Sequence, residues 1–224
     1  MKQKIIYIGL LLLFLGVSID VSAQKERFVR PVDEGKQDKS FSAFRVKLIE
    51  AVKKRDKKYL LSVLDPNVKN SFGGDSGIEE FKEMWEIDSS KSQLWDELRV
   101  VLSNGGGFQD KNTFAAPYSF VFFPADLDAF EQQVIFGNNV NLRAKPDKSA
   151  KVISQLSYNI VKVDYENSVS DSKPEPTYLW LKVETLGGIK GFVSAEFVRS
   201  SIDYRAIFVK EKGKWKISAF VAGD

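Results

Sequence analysis

The sequence between residues 133 and 199 contains three β-rich segments: QVIFGNNVNLRAKP (133–146), KVISQLSYNIVKV (151–163) and YLWLKVETLGGIKGFVSAEFVR (178–199). Each segment is rich in β-branched and aromatic residues, and turn-forming residues separate it from the next. The third contains the pair Gly187-Gly188, which is typical of a tight hairpin turn. This order of strands and turns predicts a small all-β barrel.

The first of these segments has one apolar and one polar face. Val140 and Leu142 alternate with Asn141 and Arg143, and successive side chains of a strand point to opposite sides. Pro146 then ends the run in a loop. We therefore expect the two aliphatic residues to face the barrel core and Arg143 to face the surface.

Three short motifs in these segments resemble those of the bacterial SH3 family. They are V-N-L-R-A-K-P (140–146), W-L-K-V (180–183) and G-I-K-G-F-V (188–193), in which Phe192 stands where tryptophan is common in the family. The resemblance implies a binding module that holds a peptide or a cell-wall segment in a surface groove lined by aromatic and polar side chains. It does not identify the ligand.

A ligand site is predicted beside the longest polar segment of the barrel, YENSVSDSKPEPT (165–177). This segment contains prolines and shows no apolar periodicity, so it predicts an exposed loop between strands. Tyr165 and Tyr178 flank it, and tyrosine combines a rigid contact area with a polar tip. Arg143 supplies a fixed cation for a carboxylate. We predict that these three residues, with Tyr158 close by, bind the ligand.

Other aromatic residues of the barrel have two possible roles. Trp180 and Phe192 could line the groove, but a barrel of this size is expected to use its aromatic residues in its own core. We therefore expect both in the core rather than at the ligand site.

The N-terminus has the pattern of a secretory signal peptide. Lys2 and Lys4 precede an apolar run from Ile5 to Val17, and Val21-Ser22-Ala23 places small residues where a signal peptidase cuts. The run is shorter than the roughly 20 residues of a membrane span. Residues 1–23 are therefore predicted to be removed, leaving a periplasmic or secreted protein with no permanent membrane span. An uncleaved membrane anchor is the alternative.

The composition excludes several classes of enzyme. The chain has no histidine and no cysteine, so it lacks the side chains of Cys-His hydrolases, Ser-His-Asp triads and His-ligated zinc peptidases. The formal net charge of +3 comes from mixed lysines and acids, and export further disfavours nucleic acid as a partner. We predict a non-enzymatic protein without cofactor, metal or catalytic residues, whose partner is peptidoglycan or an envelope protein or peptide.

A carboxylate-dependent cell-wall hydrolase, with the barrel as targeting module, is the alternative function. Structural roles account for the acids that such an enzyme could use. Ser76-Gly77-Ile78-Glu79 matches a capping box at a helix start, and the pair Asp126 and Asp128 provides too few oxygens for calcium. The acidic candidates are Asp75, Glu79, Glu80, Glu83, Asp126 and Asp128.

Before the barrel, apolar spacing predicts four helices. After a polar linker (24–39), the first begins with Ser40 as N-cap, the second runs from Lys57 to Leu64, the third follows the capping box, and the fourth ends at Gly105. The run YSFVFF (118–123) is apolar on both faces and predicts a buried strand.

After the barrel, YRAIFVKEKGKWKISAFVAGD (204–224) predicts a hairpin. An isolated hairpin is marginal in water, so we expect it to pair with the N-terminal unit. The predicted fold class is then an α+β unit (40–130 plus 200–224) with a small all-β SH3-like barrel (131–199) inserted before the C-terminal hairpin. The helix spacing and the last strands of the α+β unit resemble the NTF2-like cone. A separate helical domain with the hairpin on the barrel is the competing layout.

Overall fold

A computed structural model describes residues 25–173 and 177–223. The predicted signal peptide, residues 1–23, lies outside the described residues. Those described form five α-helices: α1 (Lys39–Lys53), α2 (Lys57–Val63), α3 (Ile78–Met84), α4 (Leu94–Ser103) and α5 (Tyr118–Val121). They also form twelve strands: β1 (Leu64–Lys69), β2 (Gly107–Asp110), β3 (Thr113–Ala116), β4 (Gln132–Ile135), β5 (Val140–Arg143), β6 (Val152–Leu156), β7 (Ile160–Ser170), β8 (Tyr178–Thr185), β9 (Lys190–Ser194), β10 (Val198–Arg199), β11 (Arg205–Glu211) and β12 (Lys214–Val221).

The C-terminal hairpin belongs to the sheet of the α+β unit. The order of this sheet is β1-β12-β11-β3-β2, in which β11 pairs with β3 and β12 runs parallel to β1. The barrel strands β4 to β10 therefore lie between β3 and β11 in the chain but outside this sheet. The structure confirms the predicted fold class, an α+β unit with a small barrel inserted before the hairpin.

One face of this sheet packs against α1, α3 and α4 in a large apolar core. Trp215 and Ile217 of β12 lie in it, 5 % and 1 % exposed. Aromatic residues make up much of its volume: Phe41, Phe81, Trp85, Trp95, Phe114, Phe208, Trp215 and Phe220. The ring of Phe41 contacts several of them, with its centroid 4.2 Å from that of Phe114 and 4.9 Å from that of Trp215.

Two of the predicted helix caps are wrong in detail. Asp38, not Ser40, caps α1, because its carboxylate accepts a hydrogen bond from the Phe41 amide at 2.8 Å. The predicted capping box at α3 does not form: Gly77 is the N-cap residue and no side chain caps the helix. The conformation of Gly77, with φ at 100°, turns the preceding serine away from the helix start.

The run YSFVFF (118–123) is not a buried strand. β3 ends at Ala116, Pro117 has no amide hydrogen to continue a ladder, and α5 begins at Tyr118. This segment is apolar on all sides because it joins two units. Tyr118 and Phe122 pack against the barrel strands in a third apolar cluster, and Phe120 lies on the opposite side.

The barrel is a curled antiparallel sheet of order β10-β4-β7-β8-β9-β5-β6. Its core is aliphatic and consists of Ile135, Val140, Leu142, Leu156, Val161, Leu181, Val183 and Val193. The predicted alternation in β5 is observed, since Val140 and Leu142 are buried while Asn141 and Arg143 are half-buried.

Residues 165–170, nearly half of the predicted loop 165–177, are strand. β7 continues to Ser170 and pairs with β8 up to Tyr178, with a bulge between Asp164 and Val169. This part of the hairpin extends beyond the core, so both of its faces meet water and its sequence shows no apolar alternation. Residues 174–176 of the predicted loop lie outside the described residues.

The N-terminal segment after residue 24 joins the two units. Arg27 and Val29 form backbone hydrogen bonds of 2.9 Å with Ile160 and Tyr158 of the barrel. The carboxylate of Glu26 accepts hydrogen bonds from the amide of Gly187, at 3.0 Å, and from the side chain of Asn159, at 3.1 Å. We call residues 25–33 the strap.

The strap ends on the α+β unit. Asp33 forms two hydrogen bonds of 2.7 Å with the guanidinium of the buried Arg45, and these lower the pKa of the Asp33 carboxyl. The amide of Gly106 donates to the carbonyl of Val32 at 2.9 Å. The segment 25–33, predicted as part of a linker, thus contacts both the barrel and the α+β unit.

Candidate ligand groove of the barrel

The barrel carries an open groove of about 280 Å³ on its outer surface. The residues around it combine one indole with amide, hydroxyl and charged side chains: Asn138, Asn139, Val140, Asn141, Arg143, Lys148, Trp180, Ser194, Glu196 and Phe197. They come from β5, β8, β9, the turn before β5, the loop between β5 and β6 and the short 3₁₀ helix Ala195–Phe197. We refer to this site as the Trp180 groove.

Strand alternation places Trp180 in the groove. Leu181 and Val183 of β8 point into the barrel core, so Trp180 points outward and remains half-buried. It is paired with Ser194 of β9, which lines the same groove. The expectation that Trp180 and Phe192 fill the core is wrong, because aliphatic side chains fill it completely and both aromatic residues lie on the outer face.

The close crossing of β5 and β9 positions Arg143. Arg143 is paired with Phe192, and a Cβ atom on the neighbouring Gly191 would lie 2.7 Å from the Arg143 carbonyl oxygen. Only glycine permits this approach. The Arg143 guanidinium donates one hydrogen bond of 2.8 Å to the carbonyl of Ala150, which orients it. Its remaining donors leave it able to bind a carboxylate.

The groove lining carries charges of both signs. Arg143 and Lys148 supply two cations, and Glu196 supplies the carboxylate among the lining residues. Glu196 is held by a hydrogen bond of 3.0 Å from the Ser194 hydroxyl. A ligand that carries both a carboxylate and an amine would find complementary charge here.

Tyr165 and Tyr178 lie together on the extended β7–β8 hairpin. Their ring centroids are 5.3 Å apart, and the residues are 44 % and 40 % exposed. Partial burial raises the pKa of the Tyr165 hydroxyl. Neither residue lines the Trp180 groove. The structure therefore places these two predicted site residues next to each other but does not bring them to Arg143.

Tyr158 lies at a turn before β7. Its φ of 61° is left-handed, and its backbone bonds to Gly137 and to the strap residue Val29. It too is absent from the lining of the Trp180 groove. Of the four predicted site residues, only Arg143 lines this groove.

Five of the six acids considered for catalysis have a local partner. Glu79 pairs with Lys82 at 2.6 Å, and Asp75 accepts a hydrogen bond from the Ser71 hydroxyl at 2.6 Å. Asp126 pairs with Arg27 of the strap, and Asp128 accepts from the Phe130 amide at 2.8 Å. Glu80 accepts from the Ser76 amide at 3.3 Å.

Within residues 25–173 and 177–223, no group of three or more acidic side chains is arranged to hold a metal ion. In the same part of the chain, no helix has the length and apolar character needed to cross a membrane.

Comparison with known proteins assigns the barrel to a family. Residues 138–199 match the family model of the bacterial SH3 domain, which confirms the resemblance noted in the sequence. No curated protein and no solved structure gave a match to the chain. Residues 138–199 of the barrel are therefore similar to bacterial SH3 domains, and the match does not extend to the α+β unit.

Proposed function

We propose that this is an exported, non-enzymatic protein of the bacterial cell envelope and that its barrel binds peptidoglycan or a peptide in the Trp180 groove. The observation that carries the proposal is the half-buried Trp180 beside Arg143 in an open groove of a bacterial SH3 domain. The predicted signal peptide at residues 1–23 supports export, and bacterial SH3 domains are typical of extracytoplasmic proteins.

The chemistry of the groove supports a peptide-like ligand. An indole offers a large rigid contact surface at little entropic cost, and such residues dominate the energy of small interfaces. The carboxylate of a peptide terminus or a wall stem matches the guanidinium of Arg143. An amine of the same ligand matches Glu196, which also lines the groove.

The α+β unit supports this function by holding the barrel in a fixed position. Arg199 of β10 bonds to Glu97 of α4 at 3.2 Å, and the rings of Tyr118 and Phe136 stack with centroids 5.4 Å apart. These contacts, together with the strap, join the two units over several elements. The groove therefore has a constant orientation relative to the sheet of the α+β unit.

The experiment is co-sedimentation of the protein beginning at Gln24 with purified cell-wall sacculi, with soluble fragments measured in the supernatant. We expect binding without release of fragments. Arg143→Gln should weaken binding roughly ten- to a hundredfold, since a hydrogen bond to a charged partner contributes roughly 1.5–3 kcal/mol. Lys162→Gln, a charge removed from the barrel outside the groove, is the matched control.

Two results would contradict the proposal. Release of wall fragments by the wild type would support the carboxylate-dependent hydrolase instead. If the protein bound neither sacculi nor stem peptides, peptidoglycan and its peptides would be excluded as ligands. Export is tested separately by N-terminal sequencing of the protein recovered from the periplasm or medium, where we expect Gln24 as the first residue.

A further inference from the structure

A second groove, of about 440 Å³, lies on the face of the α+β sheet that points away from the helices. Most of its lining is apolar, and the lining residues are Lys69, Phe72, Phe120, Arg205, Ile207, Ser218, Ala219 and Val221. None of these lines the Trp180 groove. We refer to this site as the back-face groove.

A bulge in β12 creates its floor. Ile207 pairs with Ala219 whereas Phe208 pairs with Ile217, so Ser218 is the additional residue of β12. Ile217 and Phe220 point into the helix-side core, and Ala219 and Val221 point to the back face. Because serine and alanine are small, their side chains leave space above the sheet at this point.

Two phenylalanines and an arginine form its wall. The guanidinium of Arg205 lies 5.0 Å from the ring centroid of Phe72 and 4.8 Å from that of Phe120, and the residue is 4 % exposed. It also donates hydrogen bonds to the carbonyls of Ile202, at 3.1 Å, and Gly223, at 2.7 Å. This packing fixes the wall.

Phe72 is held over the groove by its own loop. The Ser71 hydroxyl donates to the Asp75 carboxylate at 2.6 Å and accepts from the Gly73 amide at 3.0 Å. Phe72 nevertheless remains 55 % exposed. A large exposed ring, fixed beside an apolar floor, is a feature of surfaces that bind an apolar partner.

The charge at the rim is positive. Lys69, at the end of β1, is exposed and forms no ion pair within the described part of the chain. The described residues that line the groove include no carboxylate. An anion in the groove is therefore attracted to Lys69, and no described lining residue repels it.

We propose that the back-face groove binds an amphipathic carboxylate of the fatty-acid class. Its acyl chain lies on the floor formed by Ile207, Ala219 and Val221, against Phe72, and its carboxylate faces Lys69. The apolar walls suit the acyl chain, and the cation at the rim, Lys69, suits the carboxylate. This inference does not depend on the proposed function of the barrel.

The test uses the full protein from Gln24 and two probes of equal chain length, decanoate and decanol. Isothermal titration should show that decanoate binds and that Lys69→Gln weakens its binding about tenfold, while the affinity for decanol changes less than twofold. Lys91→Gln is the control. Lys91 is an exposed lysine in the loop before α4 and does not line the back-face groove, so both affinities should stay unchanged.

Two further variants test the apolar part of the site. Ala219→Ile fills the floor and should abolish binding of both probes. Phe72→Ala removes an exposed ring without opening the core and should weaken both probes equally. Retained binding of decanoate in Phe72→Ala and Ala219→Ile, or equal binding by Lys69→Gln and the wild type, would overturn the proposal. So would a dimer in sedimentation analysis that Phe72→Ala converts to monomer, because the groove would then be covered by a second copy of the chain.

Discussion

The two units of this protein use aromatic residues in opposite ways. In the α+β unit, phenylalanine and tryptophan fill the core between the sheet and the helices. In the barrel, the core is aliphatic, while Trp180 and Phe192 are half-buried and Tyr165 and Tyr178 are exposed. An aromatic side chain that lies outside the core can contact a ligand. This contrast is the physical basis for placing recognition on the barrel.

The largest expected effect tests the aromatic core of the α+β unit. Trp215→Ala should lower the free energy of unfolding by about 3–5 kcal/mol, because it removes a buried indole packed on Phe41 and leaves a cavity. It also removes the hydrogen bond of 3.0 Å from the Trp215 indole nitrogen to the Ser40 hydroxyl. The measurement is urea unfolding of the full protein.

Trp180→Ala is the matched control, since it removes the same side chain from the barrel surface. It should cost no more than about 1 kcal/mol, because no buried core cavity results. Equal losses in the two variants would mean that Trp180 supports the barrel fold, and the contrast between the units would fail.

The next effect tests whether the barrel is independent of the strap. Glu26→Ala should lower the free energy of unfolding by about 1–3 kcal/mol, because it leaves the Gly187 amide and the Asn159 side chain without their acceptor. Hydrogen exchange should show the loss as faster exchange at Gly187. Glu166→Ala, on the exposed part of β7, should have little effect on either measurement. Unchanged protection at Gly187 would contradict the role of the strap.

The smallest effect concerns the cap of α1. A hydrogen bond from the Ser40 hydroxyl, the Phe41 amide and Lys210 together lower the pKa of Asp38 to about 2. Its pKa is thus below the unfolded value of about 4, so the carboxylate stabilises the fold above pH 4 and this contribution is lost as pH falls towards 2. Asp38→Asn keeps an acceptor for the cap but does not titrate.

The wild type should therefore lose up to about 1 kcal/mol more than Asp38→Asn between pH 4 and pH 2, because an ion pair at the protein surface is screened by solvent and contributes little. Thermal unfolding across this range measures the difference. Parallel stability curves for the two proteins would show that the charge of Asp38 has no part in the cap.

The fold class was predictable because it depends on local periodicity and on one topological argument. Alternation at Val140 and Leu142 identified a strand of the barrel, and the hairpin after residue 204 required a partner, for which the N-terminal unit was favoured over the barrel. The segment 118–123 was predicted wrongly because its apolar residues face two different units. Periodicity within one segment cannot distinguish that arrangement from a buried strand.

The site was less predictable because it depends on which side chains the barrel core excludes. Arg143 was identified from its position opposite Leu142. Trp180 was assigned to the core, although its alternation with Leu181 and Val183 contained the signal for an outward position. No sequence pattern predicted that Glu196 and Phe197 line the groove, because a short 3₁₀ helix after β9 places them there. The capping box was predicted from residue types alone and does not form. The sequence motif gives no information on the backbone conformation of Gly77, whose φ is 100°.

The most direct test of the account compares two aromatic residues of β8 in one binding measurement. Trp180→Ala and Tyr178→Ala, each in the full protein from Gln24, are titrated with sacculi and with soluble stem peptides. The account predicts that Trp180→Ala weakens binding by about 1–2 kcal/mol, or roughly five- to thirtyfold, while Tyr178→Ala binds like the wild type. Full binding by Trp180→Ala together with loss of binding by Tyr178→Ala would contradict it and place the site on the β7–β8 hairpin.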